Sequence, residues 1–216
     1  MGGDYAPNII IEGAAQSKIR YPNLIFSFFG NKEKIIPLIN SYKILEDSNV
    51  IHTSEIIKAN EKPSVAVRKG KNSSMGMAIE HVKSGKADAL VSAGNTGALM
   101  AMTKLLLRPM DGITRPAIAA YFPTIVGESC MLDLGANIEC DAKNLVQFAF
   151  MGQAFANIVM GVDNPSISLL NIGEEEQKGL DYIKEASQIL SDLKSQINYS
   201  GFIEGDKIAQ GVSDVI

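Results

Sequence analysis

Glycine-bearing turns at the ends of apolar runs are the residues of this chain best suited to chemistry, and the chemistry they suit is the holding of an anion. The most informative turn follows the run from Ala87 to Ser92 and contains Gly94, Asn95, Thr96 and Gly97. A buried strand expected at 87–92 would deliver backbone N–H groups to a phosphate, and the helix that follows would add partial positive charge at its N-terminus. Ser92, Asn95 and Thr96 could add side-chain donors. The same pattern also suits a plain helix cap at Asn95 or Thr96, with the glycines needed only for the turn. Two other phosphate signatures fail. The Gly-Lys pairs at 70–71 and 85–86 have Val65 and Glu80 where a P-loop needs its leading glycine, and no G-x-G-x-x-G spacing occurs.

A second turn, with Asp133, Gly135 and Asn137, again ends an apolar run. Ligands of an open parallel sheet collect beyond the carboxyl ends of its strands, so this turn and the one at 92–97 are expected to face one crevice. Alternatively, Asp133 only holds the backbone of its own turn. A third turn spans Asn171 to Gly179, where a strand is expected to run into a helix whose first turn carries Glu174, Glu175 and Glu176. Carboxylates suit that end of a helix without further purpose. Lys178 opposes the dipole there and could reach back to an anion or a developing oxyanion, or else is a solvated lysine. Gly2, Gly3 and Asp4 form a fourth turn before Pro7, with Asp4 capping a helix or lining the crevice. Arg115, fixed before Pro116, offers a guanidinium to phosphate or carboxylate, or to a surface ion pair.

The remaining reactive side chains read as structural. His52 and His81 have no carboxylate or serine arrangement beside them in sequence, and Cys130 and Cys140 lack both a neighbouring base and the paired spacing of a zinc or redox site.

Elements that position these turns follow from periodicity. Short runs of Val, Ile, Leu and Phe alternate with helix-period segments, the pattern of an α/β protein with a mainly parallel sheet and helices on its faces. Strands are expected near 23–29, 49–53, 87–92, 117–123, 128–134, 166–171, 198–204 and 212–216, and helices near 7–19, 32–43, 73–84, 95–107, 142–160 and 175–195. The helix at 142–160 presents Leu145, Phe148, Ala149, Gly152, Phe155, Ala156 and Val159 as one apolar stripe. The polar segment 58–74, with Pro63, Arg68, Lys69 and Lys71, reads as a long surface loop with a short strand at 64–67. No internal repeat or linker divides residues 1–216, which read as one domain.

Composition narrows the function. The chain of 216 residues is 46% hydrophobic and 20% charged, enough for a sizeable core, and its net charge of -4 gives no global field for nucleic acid. Two cysteines without paired spacing fit a reducing, cytoplasmic setting. No apolar run approaches the roughly 18 residues of a membrane span, and the N-terminal residues do not resemble a secretory signal.

Several strings, in order, resemble the PlsX family of phosphate acyltransferases: MGGDYAP at 1–7, KNSSM at 71–75, VKSGKADALVSAGNTGALMA at 82–101, RPA at 115–117, DLGAN at 133–137, NIGEEEQKG at 171–179 and GFIEGDKI at 201–208. SAGNTGAL, DLGAN and GEE-x-x-KG together are highly specific. The resemblance implies a three-layer Rossmann-like sandwich related to isopropylmalate dehydrogenase, acting as a homodimer. It implies transfer of a long-chain acyl group from acyl carrier protein to inorganic phosphate, without metal or organic cofactor. The acyl-phosphate would serve phospholipid synthesis, passed by a peripherally membrane-associated enzyme to a membrane glycerol-3-phosphate acyltransferase.

On this resemblance Lys178 and Asn137 are the expected catalytic residues. Asp4, Ser92, Gly94, Asn95, Thr96, Gly97, Arg115, Asp133, Gly135 and Glu175 are expected to bind phosphate or substrate, and on local charge density alone Arg68, Lys69 and Lys71 are expected to dock the carrier protein. Family members have a strand before MGGD and continue past Ile216 into a Thr-Asp-Gly-Phe-like segment, so a fragment is expected, and Asn31 stands where aspartate is commoner. The alternatives are a coenzyme A-dependent, phosphotransacetylase-like enzyme, a dehydrogenase on the related fold, or an inactive split-gene remnant.

Overall fold

A computed structural model describes residues 1–175 and 177–216, and its contacts divide the chain into two compact units, Met1–Arg108 and Pro109–Ile216. Glu176, the last of the glutamate run, lies outside the described residues.

The first unit contains α1 (Asn8–Arg20), β1 (Ser27–Gly30), α2 (Lys32–Asn40), β2 (Asn49–His52), α3 (Pro63–Lys69), α4 (Ser74–Lys83) and α5 (Thr96–Leu106). β1 and β2 pair in parallel, Ser27 opposite Asn49 and Gly30 opposite His52. Helical spacing explains the burial around them. Ile11, Ala14 and Ala15 of α1 and Ile35 and Ile39 of α2 close over Phe28 and Leu45. A second cluster joins Ala66 of α3, Met75 and Ile79 of α4, and Ala98 and Met102 of α5, around Ile57. Lys18 is buried beside the first cluster, where its ammonium donates to Asp47 at 2.6 Å, so the charge enters the interior paired.

The second unit contains β3 (Ala119–Thr124), β4 (Gly127–Leu132), α6 (Ala142–Phe155), β5 (Ile167–Leu170), α7 (Asp181–Asp192) and β6 (Tyr199–Ile203). β3 and β4 form an antiparallel hairpin, and β5 and β6 pair in parallel. The last residues of the chain join the two pairs. Val215 bridges Cys130 and Ile167, both in parallel, and Ile216 N–H donates to the Cys130 carbonyl at 2.9 Å. The order is therefore β3, β4, residues 213–216, β5, β6, and all but β3 run the same way. α6 lies on this sheet at Gly152, where an added Cβ would overlap Val215 and stand 3.0 Å from Leu132 Cδ2, so only glycine allows the approach.

Four expectations need correction. Residues 87–92 form no strand, and Val91 is 89% exposed: a strand exists only through a hydrogen-bonded neighbour, and no described residue supplies one. The expected loop and strand at 58–74 are largely helical, because Pro63 presets the first turn of α3 and Ala66 packs fully into the second cluster. The helix expected from 175 begins at Asp181, so Glu174, Glu175 and Lys178 stand before it rather than in its first turn. Val159 leaves the α6 stripe and is 54% exposed, because a π-helical turn over Ala156–Met160 shifts the phase of the last residues.

Candidate functional site

In the first unit the turn at 92–97 is shaped by its own side chains. Ser92 Oγ accepts from Gly94 N–H at 3.2 Å, and Asn95 Oδ1 accepts from Ala98 N–H at 2.9 Å, capping α5. Asn95 Nδ2 donates to the Ala59 carbonyl at 3.0 Å and the Glu61 carbonyl at 2.8 Å, fastening the preceding loop. Both polar atoms of Asn95 are thus committed to backbone. The groups that remain for an anion are the amides of Thr96 and Gly97, which have no place in the helix's own ladder, and the Thr96 hydroxyl. Gly2 and Gly3 pack on the same turn, an added Cβ at Gly3 standing 3.1 Å from the Ala93 carbonyl oxygen. Asp4 is exposed at this end of the unit and caps nothing, since α1 starts after Pro7 with no side-chain cap.

Arg68, Lys69 and Lys71 end α3 and its following turn, all exposed. Pro63 at the other end packs against Gly97, so the seven-residue helix sets the cations about 10 Å from the turn.

In the second unit, the turns after β4, β5 and β6 share one edge, because the three strands are parallel through residues 213–216. One strand separates the first two turns, which sets them about 10 Å apart. Asp133 organises the first. Its Oδ1 accepts from Ile118 N–H at 2.8 Å and Ala136 N–H at 3.2 Å, and its Oδ2 accepts from Asn137 N–H at 2.8 Å and Asn137 Nδ2 at 2.9 Å. Asn137 Nδ2 also donates to the Pro116 carbonyl at 2.9 Å. Gly135 is exposed at the tip, and Arg115 donates to the Glu139 carbonyl at 2.8 Å.

The second turn is built on Asn171, buried at the end of β5, whose Nδ2 donates to the carbonyls of Gly173 and Lys178, each at 3.0 Å. That closes the loop and brings the Lys178 side chain back over Gly173. Lys178 Nζ meets Glu175 Oε1 at 2.8 Å, with about half of the lysine side chain exposed. The hydrogen bond to Glu175, followed by its charge, raises the lysine above its ordinary value, and the reciprocal bond lowers Glu175. Lys178 is therefore a cation paired with Glu175 at this turn. Beside it Lys207 pairs with Glu174 across to the turn after β6.

Cys140 lies near this edge, but burial, then the Asp133 carboxylate, push its thiol up, and burial does the same to Cys130, so neither is poised as a thiolate nucleophile.

Sequence reasoning missed a polar network in which two buried amides of α6 hold the exposed Thr114. Asn144 and Gln147 face Thr114 with Gln147 Oε1 accepting at 2.9 Å from both the amide and the hydroxyl of Thr114. The signal was present: two amides at helical spacing beside Phe148, on a face read only for its apolar members.

Comparison with known proteins first defines the class of fold. The chain aligns with EutD phosphotransacetylase from Staphylococcus aureus at a TM-score of 0.64 and 15% identity, over 95% of this chain and 73% of that one. It aligns with a branched-chain phosphotransacylase from Enterococcus faecalis V583 at 0.59 and 14%, over 94% and 66%. At such identities the likeness carries the fold alone, an α/β architecture of Rossmann-like type with parallel strands, as expected.

The family is then specific: residues 1–216 match the model described as "Fatty acid synthesis protein", and the chain belongs to that family. It is 52% identical over 217 residues to a phosphate acyltransferase of Rhodospirillum centenum, and 49% identical over 218 residues to one of Parvibaculum lavamentivorans. These alignments take in 100% of this chain but 61% and 60% of the relatives, so the chain spans about three fifths of their length. The resemblance drawn from the sequence motifs is borne out at the level of the family.

Proposed function

We propose that this chain belongs to an enzyme that moves a long-chain acyl group from acyl carrier protein to inorganic phosphate. Family membership and the naming of its relatives support the reaction class. The observation that carries the reading into this molecule is Lys178, held as a cation over Gly173 at the carboxyl edge of the parallel strands.

A phosphate oxygen attacks the thioester carbonyl, the carbon–sulfur bond breaks, and the proton carried by hydrogen phosphate leaves with the carrier thiol. Lys178 offsets negative charge on phosphate or on the tetrahedral oxyanion, and Glu175 keeps it in place. Asp133 and Asn137 hold their turn rigid so that Arg115 and the tip at Gly135 keep fixed positions. In the first unit the amides of Thr96 and Gly97 provide an anion cradle, and Arg68, Lys69 and Lys71 attract the acidic carrier. The acyl-phosphate would pass to a membrane glycerol-3-phosphate acyltransferase, with the enzyme a homodimer at the membrane surface. Among the described residues no helix is long and apolar enough to cross that membrane.

The test supplies labelled inorganic phosphate with a long-chain thioester of either acyl carrier protein or coenzyme A, and follows label into the solvent-extractable product. Label from the carrier thioester is expected. Label from the coenzyme A thioester alone, or none from either, would reject the proposal.

A further inference from the structure

We propose that Gln147 and Asn144 are positioning residues that, through Thr114, fix the short segment carrying Arg115. The inference rests on the reading of Arg115 as an anion-binding group in acyl transfer to phosphate.

Gln147 is 7% and Asn144 5% exposed, unusual burial for two amides on a helix that faces a sheet. The Gln147 oxygen and the Asn144 nitrogen are aimed at one residue, Thr114. Gln147 Oε1 accepts from Thr114 N–H and from Thr114 Oγ1, each at 2.9 Å, and Asn144 Nδ2 donates to Thr114 Oγ1 at 2.9 Å. Asn144 is itself locked by a capping box with Asp141, whose Oδ1 accepts from Asn144 N–H at 2.8 Å. Gln147 Nε2, by contrast, is buried with no partner among the described residues.

Among the described residues the Gln147 oxygen serves only Thr114, and methionine would fill a similar volume without that acceptor.

The other end of the segment is tied as firmly, to the Asp133 turn. Ile118 N–H donates to Asp133 Oδ1, the Pro116 carbonyl accepts from Asn137 Nδ2, and Leu134 N–H donates to the Ile118 carbonyl at 3.0 Å. Arg115 lies between these anchors, the donor of its Nη1 committed to the Glu139 carbonyl and the rest of its five-donor fork available to an anion. α6 thus sets the guanidinium without touching it.

The test compares Gln147→Met, Thr114→Val and Thr114→Ser with the wild type in two readouts: steady-state KM for phosphate against kcat, and inorganic phosphate titrated against the Arg115 Nε–H resonance. Gln147→Met and Thr114→Val are expected to raise KM for phosphate about tenfold with kcat within about twofold, and to weaken the titration equally. Thr114→Ser, which keeps both Thr114 donors, is expected to stay near the wild type. In an Arg115→Ala background, Gln147→Met should add nothing further to KM. An unchanged phosphate titration in Gln147→Met, or a Gln147→Met effect on KM that adds in full to that of Arg115→Ala, overturns the proposal. If the wild type makes no acyl-phosphate yet phosphate still shifts Arg115, the functional reading falls and the titration alone decides on positioning. No shift of Arg115 in the wild type overturns the positioning proposal together with the anion-binding role of Arg115, while the labelled-phosphate assay alone decides on acyl transfer.

Discussion

Lys178 folds back over Gly173, so that a Cβ added at 173 would overlap the lysine Cδ and stand 3.2 Å from its Nζ and 2.7 Å from Glu175 Oε2. The backbone of Gly173 is not in the left-handed region, so alanine is accommodated there if the half-exposed Lys178 and Glu175 side chains swing aside. Gly173→Ala is therefore expected to displace the cation and lower turnover about tenfold or more while thermal stability changes little, since Lys178 and Glu175 are exposed. Equal turnover in wild type and variant would show that the placement of Lys178 does not matter.

The Lys178–Glu175 pair also fixes a pH range. Lys178 is raised, first by its hydrogen bond to Glu175, so its contribution is whole below the ordinary lysine value and is lost as pH rises through the raised one. Glu175 is lowered, so its contribution is whole above the ordinary carboxylate value and is lost as pH falls through the lowered one. The pair is intact across neutral pH. Glu175→Gln is expected to return the Lys178 titration, followed by NMR of its side chain, toward the ordinary lysine value; no change in that titration would deny the coupling.

Asn95 makes a separate prediction about stability. Asn95→Ala removes the α5 cap, about 1 kcal/mol, and the bonds to the Ala59 and Glu61 carbonyls, about 1 kcal/mol each. Asn95→Asp keeps the capping oxygen but sets a carboxylate oxygen against the Ala59 and Glu61 carbonyls, so it too loses the clasp. Denaturant unfolding should rank the wild type above both variants; an Asn95→Ala as stable as the wild type would contradict the clasp.

Arg68, Lys69 and Lys71 reversed together to glutamate should raise KM for acyl carrier protein with kcat little changed, and the effect should shrink as salt is added. An unchanged KM at low salt would dismiss the patch.

What the sequence made legible follows local chemistry. Asn95 announces its helix because a capping side chain and the residues it caps are neighbours in the chain. The apolar runs at β4, β5 and β6 are legible for the same reason, and with them the turns that hold Asp133 and Asn171. Residues 87–92 carry an equally apolar run but no ladder, since pairing depends on what lies alongside rather than on the run itself. Glu174 and Glu175 imitate the acidic first turn of a helix, although α7 starts only at Asp181. Asn144 and Gln147 were hidden because their partner, Thr114, lies about thirty residues away in sequence.

The most direct test of the role given to Lys178 is the turnover of Lys178→Ala beside wild type, measured as acyl-phosphate formed from acyl carrier protein thioester and inorganic phosphate. Loss of one charge-stabilising donor is expected to lower kcat by about 100-fold to 1,000-fold. A variant that turns over like the wild type would contradict the role assigned to this lysine.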